Sequence, residues 1–220
     1  MNFQQARSNM IEQQVRPWDV LDQRVLDVLA EVPRDAFVAP EHRQLAYSDY
    51  ELPIGHGQHM FKPVVEGRLL QSLQLATTDS VLEIGAGSGY LTACIGRLAQ
   101  RVEALEIVPE LAELATARLT EHGVANAHVR VQDAEATWDA RDAYEAILIG
   151  GSVPVVPEYY KNKLAIDGRL IAVVGTTAKP TMEAIRLVRV TETEWLTESL
   201  FETCLPPLSS GAPEAPRFVF

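Results

Sequence analysis

The sequence predicts a single α/β domain built on a doubly wound, mostly parallel, seven-stranded sheet. Between residues 80 and 174, short apolar runs alternate with segments of helical periodicity. This alternation is typical of a parallel sheet with helices on both faces. After residue 181, two strand-like segments are separated by only four residues, which suits a hairpin and excludes a crossover helix. The sheet is therefore expected to end antiparallel, and 220 residues fit one domain.

The first third of the chain, residues 1–79, is expected to form a helical cap that includes a substrate loop. Asp19 is placed to cap a helix of regularly spaced apolar residues, which Pro33 stops. A short helix is predicted over 41–47, and Pro63 fits the first turn of a further helix. The segment between them, 52–58, holds too much Gly and Pro for a regular element.

Residues 80–205 are expected to form the α/β core, followed by an irregular tail over 206–220. Helices are predicted over 90–98, 109–122 and 157–164. Strands are predicted over 81–84, 102–107, 128–131, 145–149, 169–174, 182–190 and 195–203. The tail is rich in Pro, Ser and Gly, so no regular element is expected there.

The composition excludes several classes of protein. A net charge of −11 argues against an electrostatic grip on nucleic acid or on an acidic membrane surface. Cys94 and Cys204 lie in no Cys/His cluster, so no metal site is expected. No apolar stretch has the length of a membrane span and no secretory signal is visible, so the expected location is the cytoplasm.

The glycine-rich turn after the first core strand is the most informative segment. Glycines let a chain turn sharply and let a ligand approach the backbone, and the amides of the following helix point into the same crevice. Parallel sheets bind ligands at the carboxyl ends of their strands. The candidate cofactor residues of this turn are Glu83, Ile84, Gly85, Ala86, Gly87, Ser88 and Gly89.

Further candidates follow the next strands of the predicted sheet. Glu106 lies about 20 residues beyond the first glycine, the spacing at which an acidic side chain accepts hydrogen bonds from ribose hydroxyls. Asp133 follows the third strand, where it is placed to meet an adenine amino group. Ile107, Ala134 and Gly150 stand beside these strand ends and complete the candidate set. Together they indicate a ligand that contains a nucleoside.

The nucleoside ligand is expected to be S-adenosylmethionine (SAM). The NAD fingerprint requires a small residue where this sequence has Tyr90, so the pyrophosphate-binding pattern is broken. Glu83 adds a negative charge before the turn, which disfavours a phosphate and suits a cationic sulfonium and amine. A turn with a purely structural role is the remaining alternative.

Two motifs make the resemblance to one family specific. The run 82–90, LEIGAGSGY, resembles the LEIGTGSGY motif of protein-L-isoaspartate O-methyltransferases, and 52–58, LPIGHGQ, resembles their LPIGxGQ signature. The VPRDAFV run at 32–38 and the LPPL run at 205–208 are similar to further family segments. The resemblance covers nearly the whole chain. It implies the Rossmann-like fold of class I SAM-dependent methyltransferases, and a substrate loop at Ile54, Gly55 and His56.

The same resemblance implies an activity, which is methylation of the α-carboxylate of isoaspartyl residues in damaged proteins or peptides. A carboxylate is already ionised near neutral pH, so the reaction needs no catalytic base. Catalysis then depends on placing the carboxylate in line with the methyl group, which is an orientation effect.

The sequence departs from the family after the LPIGxGQ signature. Where the family has TISQP, with a threonine and a serine that hydrogen-bond the substrate carboxylate, this chain has HMFKP. His59 stands at the threonine position and Phe61 at the serine position, and Phe61 has no donor. His59 and Lys62 are the candidate replacements. The alternatives are a small-molecule acceptor in a reshaped pocket, and a SAM-binding protein that transfers no methyl group.

A second departure lies after the fourth strand. The family has a TAA-like run where this chain has Gly150-Gly151. The two glycines are expected to open space beside the sulfonium.

Overall fold

The computed structural model describes residues 2–134, 143–178 and 181–208. The strands are β1 Leu52–Gly55, β2 Gln58–Met60, β3 Ser80–Ile84, β4 Arg101–Glu106, β5 Ala127–Val131, β6 Tyr144–Val153, β7 Leu164–Val174, β8 Met182–Arg189 and β9 Trp195–Thr203. The α-helices are α1 Phe3–Met10, α2 Gln23–Glu31, α3 Pro63–Leu73, α4 Tyr90–Leu98, α5 Pro109–Glu121 and α6 Glu158–Asn162.

Seven strands form one sheet in the order β5-β4-β3-β6-β7-β8-β9. The first five strands in this order pair in parallel, and β8 and β9 pair antiparallel at the end. This arrangement confirms the predicted fold class and the terminal hairpin. It also places the carboxyl ends of β3, β4 and β6 next to one another, as a ligand site between parallel strands requires.

The two faces of the sheet bury separate hydrophobic clusters. In β6, Ala146 and Leu148 belong to the cluster under the N-terminal helices, whereas Ile147 and Ile149 belong to the cluster on the opposite face. Alternate residues of a strand point to opposite faces, so a strand covered on both faces is apolar at successive positions, as β6 is at residues 146–149. This double burial explains why the middle of β6 reads as a continuous apolar run in the sequence.

The N-terminal cap differs from the prediction in its details. Asp22, not Asp19, caps α2, because the Asp22 side chain accepts a hydrogen bond from the backbone N–H of Arg24. Asp19 has a φ of 62° and closes the preceding 3-10 turn instead. The helix predicted over 41–47 is a 3-10 helix over Pro40–Leu45.

The segment 52–58 was predicted to be irregular, and that prediction is wrong. β1 and β2 pair antiparallel as a short hairpin. The residues with positive φ are confined to the turn, at Gly55 (95°), His56 (52°) and Gly57 (72°). Tight hairpin turns need positive φ, so these glycines build the turn and leave the flanking strands intact.

Two core elements are longer than predicted and the first residues of the tail are ordered. β6 continues through Gly150-Gly151 to Val153, and β7 begins at Leu164. The residues 206–208 lie beside β6, where Ser152 donates its N–H to the Pro206 carbonyl and accepts from the Leu208 N–H. The predicted tail beyond residue 208 lies outside the described residues. Within the ranges described, no helix combines the length and apolar character needed to cross a membrane.

Candidate functional site

A cleft of about 860 Å³, including its open mouth, lies at the carboxyl ends of β3, β4 and β6. The glycine turn after β3 forms its floor, and the β1–β2 hairpin and the segment 206–208 form its walls. The predicted site residues that line it are Ile54, His59, Phe61, Glu83, Ile84, Gly85, Ala86, Gly87, Ser88, Glu106, Ile107, Ala134 and Gly150.

The remaining predicted site residues lie outside the lining. Gly55 and His56 are exposed in the hairpin turn, and Lys62 is exposed at the residue before α3. Gly89 packs behind the turn, where an added Cβ would lie 3.0 Å from the Cβ of Ala115. Asp133 is half-buried beside the cleft, while its neighbours in sequence on both sides line it.

The glycine turn is held against the end of β4. The N–H groups of Gly85 and Ala86 both donate to the carbonyl of Leu105, at 2.8 and 3.1 Å. Gly85, Gly87 and Gly89 have φ values of 85°, 51° and 83°, which disfavour residues with side chains. Because these residues have no side chains, the backbone atoms of Gly85 and Gly87 themselves form the surface of the cleft.

Glu106 is a buried carboxylate that binds two backbone amides. Its Oε2 accepts from the N–H of Gly87 at 2.7 Å, and its Oε1 accepts from the N–H of Val108 at 3.0 Å. A carboxylate has about four acceptor sites, so each oxygen can still accept a hydrogen bond from a ligand hydroxyl.

Glu83 is the second buried carboxylate of the cleft. Its side chain belongs to a residue that is only 1% exposed, and its Oε2 has no hydrogen-bond partner among the residues the structure describes. Burial, with a smaller contribution from the charge of Glu106, raises the pKa of Glu83 to about 8. A buried carboxylate oxygen without a hydrogen-bond partner is energetically costly. It therefore offers a binding position to a cationic or hydrogen-donating group.

Several lining residues were missed by the sequence analysis. They are Gln58, Met60, Glu66, Leu91, Leu105, Gln132, Pro206, Pro207 and Leu208. The LPPL run was visible as a family resemblance, but its proximity to the glycine turn depends on the pairing of residues 206–208 with β6. Glu66 lies on α3, three residues beyond the HMFKP run, and carried no signal of its own.

The expectation that Gly150-Gly151 opens space beside the ligand is wrong. A Cβ at position 150 would lie 2.7 Å from the Ile84 carbonyl oxygen, and a Cβ at 151 would lie 2.9 Å from the Leu208 nitrogen. Neighbouring backbone already fills both positions. The two glycines instead allow the glycine turn and the segment 206–208 to approach β6 closely.

The cleft has no feature of a metal centre. Within 2–134, 143–178 and 181–208, no group of three His, Cys, Asp or Glu side chains is placed to hold a metal ion. The carboxylates that line the cleft belong to Glu66, Glu83 and Glu106.

Comparison with known proteins places the chain in a family. A family model described as Protein-L-isoaspartate(D-aspartate) O-methyltransferase (PCMT) matches residues 5–210. The chain is 40% identical over 192 residues to Protein-L-isoaspartate O-methyltransferase 1 of Rhodopseudomonas palustris, covering 87% of this chain and 77% of that protein. It is 39% identical over 211 residues to Protein-L-isoaspartate O-methyltransferase of Roseiflexus castenholzii, covering 96% of this chain and 95% of that protein.

A solved structure shares the fold. The Plasmodium falciparum protein described as a protein-L-isoaspartate O-methyltransferase, in complex with S-adenosyl-L-homocysteine, superimposes with a TM-score of 0.80. It is 19% identical, and the match covers 95% of this chain and 99% of that one. With the family match over nearly its whole length, the chain belongs to the protein-L-isoaspartate(D-aspartate) O-methyltransferase family.

Proposed function

We propose that this protein is a SAM-dependent methyltransferase that methylates the α-carboxylate of isoaspartyl residues in damaged proteins and peptides. The observation that carries the proposal is the combination, in one cleft, of an unpartnered buried carboxylate with a backbone turn built of glycines. The proposal rests also on the family to which the chain belongs.

The residues of the cleft fit SAM. Glu83 would hold the cationic end of the molecule, because its free Oε2 is buried and needs a donor or a positive charge. Glu106 would accept from the ribose hydroxyls while it keeps its two amide bonds. Gln132 and Ala134 line the cleft beyond Glu106 and would contact the adenine. When bound, SAM supplies a methyl group that is already activated by the sulfonium.

The acceptor carboxylate would lie against the apolar wall of the cleft. Ile54, Met60 and Phe61 come from the hairpin and its exit, and Pro207 and Leu208 come from the opposite wall. An apolar surround removes water from the carboxylate, and a fixed wall restricts its orientation. No proton has to be removed from the acceptor, so the chain needs no general base.

The negative charge of the acceptor carboxylate would be compensated by side chains at the mouth of the cleft. His59 is exposed and lines the cleft, so we assign it as the hydrogen-bond donor to the carboxylate. Lys62 is exposed and directly follows the lining residue Phe61, and we assign it a weaker role as a point charge that attracts anionic peptides.

The test uses methyl-labelled SAM and one short peptide in isoaspartyl and aspartyl forms, with label counted as base-labile methyl ester. The expected result is labelling of the isoaspartyl form only, and its loss in Glu106→Ala. Absence of label on either peptide, beside an active control enzyme, would contradict the proposed acceptor.

A different carboxylate acceptor is the second candidate, and Phe61 is the observation that favours it. Phe61 is 8% exposed and lines the acceptor wall, where it adds apolar surface. Small aromatic carboxylic acids, tested in the same labelling assay, would be methylated in place of the peptide if this candidate is correct.

A further inference from the structure

Arg34 is a fully buried arginine that joins the N-terminal cap to the acceptor wall. Its Nε donates to the Ala46 carbonyl at 2.7 Å and its Nη2 donates to the Phe61 carbonyl at 2.6 Å. Its Nη1 donates to the carboxylate of Glu66, at 2.7 Å from Oε1. The Tyr90 ring covers the guanidinium, with 5.3 Å between Cζ and the ring centroid.

Two of these partners, Phe61 and Glu66, also line the cleft. Only Phe61 and Lys62 separate the end of β2 from the start of α3, so the path of the wall is set within two residues. Pro63 has no N–H to donate, and the Lys62 carbonyl accepts from the Glu66 N–H. The Phe61 carbonyl is held by Arg34, which therefore fixes the backbone that carries the Phe61 ring.

The presence of the buried Arg34–Glu66 pair is not by itself evidence that it stabilises the fold. Replacing a buried ion pair with apolar residues of similar volume is often neutral or stabilising, so a buried pair is weak evidence for a role in stability. A guanidinium offers five donors in a rigid fork, and here that fork reaches two carbonyls and one carboxylate at once. A lysine ammonium could keep Glu66 but not all three partners.

We propose that Arg34 is a positioning residue for the acceptor, which sets the place of the 59–62 segment in the cleft through its hydrogen bond to the Phe61 carbonyl. The kinetic test of this proposal, which measures the peptide KM, rests on the proposed function. The hydrogen-exchange test does not, because it needs no turnover.

Arg169 provides a matched control at the other end of the same helix. Arg34 holds the backbone just before α3, and Arg169 holds its end by donating to the carbonyls of Leu73 and Gln74. Arg169 also pairs with the carboxylate of Asp79, so each arginine joins one carboxylate to backbone carbonyls. Arg169 lies outside the cleft lining.

The kinetic test compares Arg34→Lys with Arg169→Lys. In Arg34→Lys, the KM for the isoaspartyl peptide is expected to rise about tenfold or more, with the Kd for SAM changed less than about twofold, because misplacement of a positioning group affects the acceptor alone. Arg169→Lys is expected to lower the Tm without changing either constant. Equal peptide KM values in the two variants, or parallel changes in peptide KM and SAM Kd, would overturn the proposal.

A second variant guards against misfolding of the first. The double substitution Arg34→Met with Glu66→Met replaces the buried pair by apolar side chains, which is expected to preserve folding. It still removes the donor to the Phe61 carbonyl, so the peptide KM should rise at temperatures where the variant stays folded. A folded double variant with the peptide KM of the wild type would contradict the positioning role.

Hydrogen exchange, followed by mass spectrometry on the SAM-free proteins, separates this proposal from the proposed function. The segment 58–62 should exchange faster in Arg34→Lys than in the wild type, and at the wild-type rate in Arg169→Lys. If the wild type transfers no label to the peptide, the proposed function is wrong, and the exchange rates alone decide the role of Arg34. Unchanged exchange of 58–62 in Arg34→Lys would overturn the positioning role.

Discussion

The Oε2 atom of Glu106 accepts a hydrogen bond from the backbone N–H of Gly87, with 2.7 Å between the two atoms. This bond joins the end of β4 to the glycine turn that follows β3. It makes the carboxylate part of the backbone cradle, and leaves acceptor capacity for a ligand. Glu106 can therefore hold the glycine turn and bind a ligand hydroxyl at the same time.

Glu106→Gln should weaken SAM binding about tenfold to a hundredfold. The amide keeps the volume but cannot accept at both oxygen positions, and hydrogen bonds to charged groups contribute about 1.5–3 kcal/mol. Isothermal titration calorimetry on the purified protein measures the change in Kd. Glu103→Gln is the control, because Glu103 lies on the same strand and pairs with Arg130 outside the cleft. A wild-type Kd in Glu106→Gln would remove Glu106 from the cofactor site.

Glu83→Gln should change how the stability of the SAM-free protein depends on pH. Burial raises the pKa of Glu83 to about 8 from the usual 4.5, so the folded protein retains a proton that the unfolded chain releases. The stability from this group is complete below pH 4.5 and is lost as the pH rises through 8.

The free energy of unfolding of the wild type should therefore fall relative to Glu83→Gln between those values, by at most about 1.4 kcal/mol for each pH unit. Urea unfolding of both proteins at several pH values measures the difference. Glu66, whose pKa burial raises to about 7, contributes to both proteins equally. Parallel pH profiles would show that Glu83 is not a buried titrating group.

Phe61→Ser should raise kcat/KM for the isoaspartyl peptide. The serine hydroxyl can donate to the acceptor carboxylate, and one such bond corresponds to about tenfold in rate. Phe61→Ala is the matched control, since it removes the same buried ring without adding a donor. Both variants should lose about 3–5 kcal/mol of stability from the cavity, so rates are compared below their unfolding temperatures. An unchanged rate in Phe61→Ser would mean that this position does not limit the activity.

Gly151→Ala should impair methylation about tenfold or more. Its Cβ would lie 2.9 Å from the nitrogen and the Cα of Leu208, so the wall segment 206–208 must move away from β6. Leu208→Ala serves as the comparison, because it removes the side chain and leaves the backbone contact intact. The effect of Gly151→Ala on peptide kcat/KM should be the larger of the two. A larger effect of Leu208→Ala would show that methylation depends on the Leu208 side chain and not on the backbone contact with Gly151.

The fold was largely predictable from local patterns. Parallel core strands are buried on both faces, so the middle of β6 appears as a continuous apolar run, and the five residues between β8 and β9 allow only a hairpin. The glycine turn was predictable because its positive φ values require glycine. The hairpin at 52–58 was missed because composition does not reveal whether glycines interrupt strands or form the turn between them.

What the sequence by itself determined is the order of strands and helices, the glycine turn, and the family to which its motifs point. Only the tertiary structure decided which distant residues meet at the cleft. The neighbours of Gly150 and Gly151, the free oxygen of Glu83, and the bond from Arg34 to the Phe61 carbonyl all depend on segments far apart in the chain. Local patterns reflect backbone preferences and burial. A buried hydrogen bond between distant segments depends instead on how whole elements pack, which no short run of residues encodes.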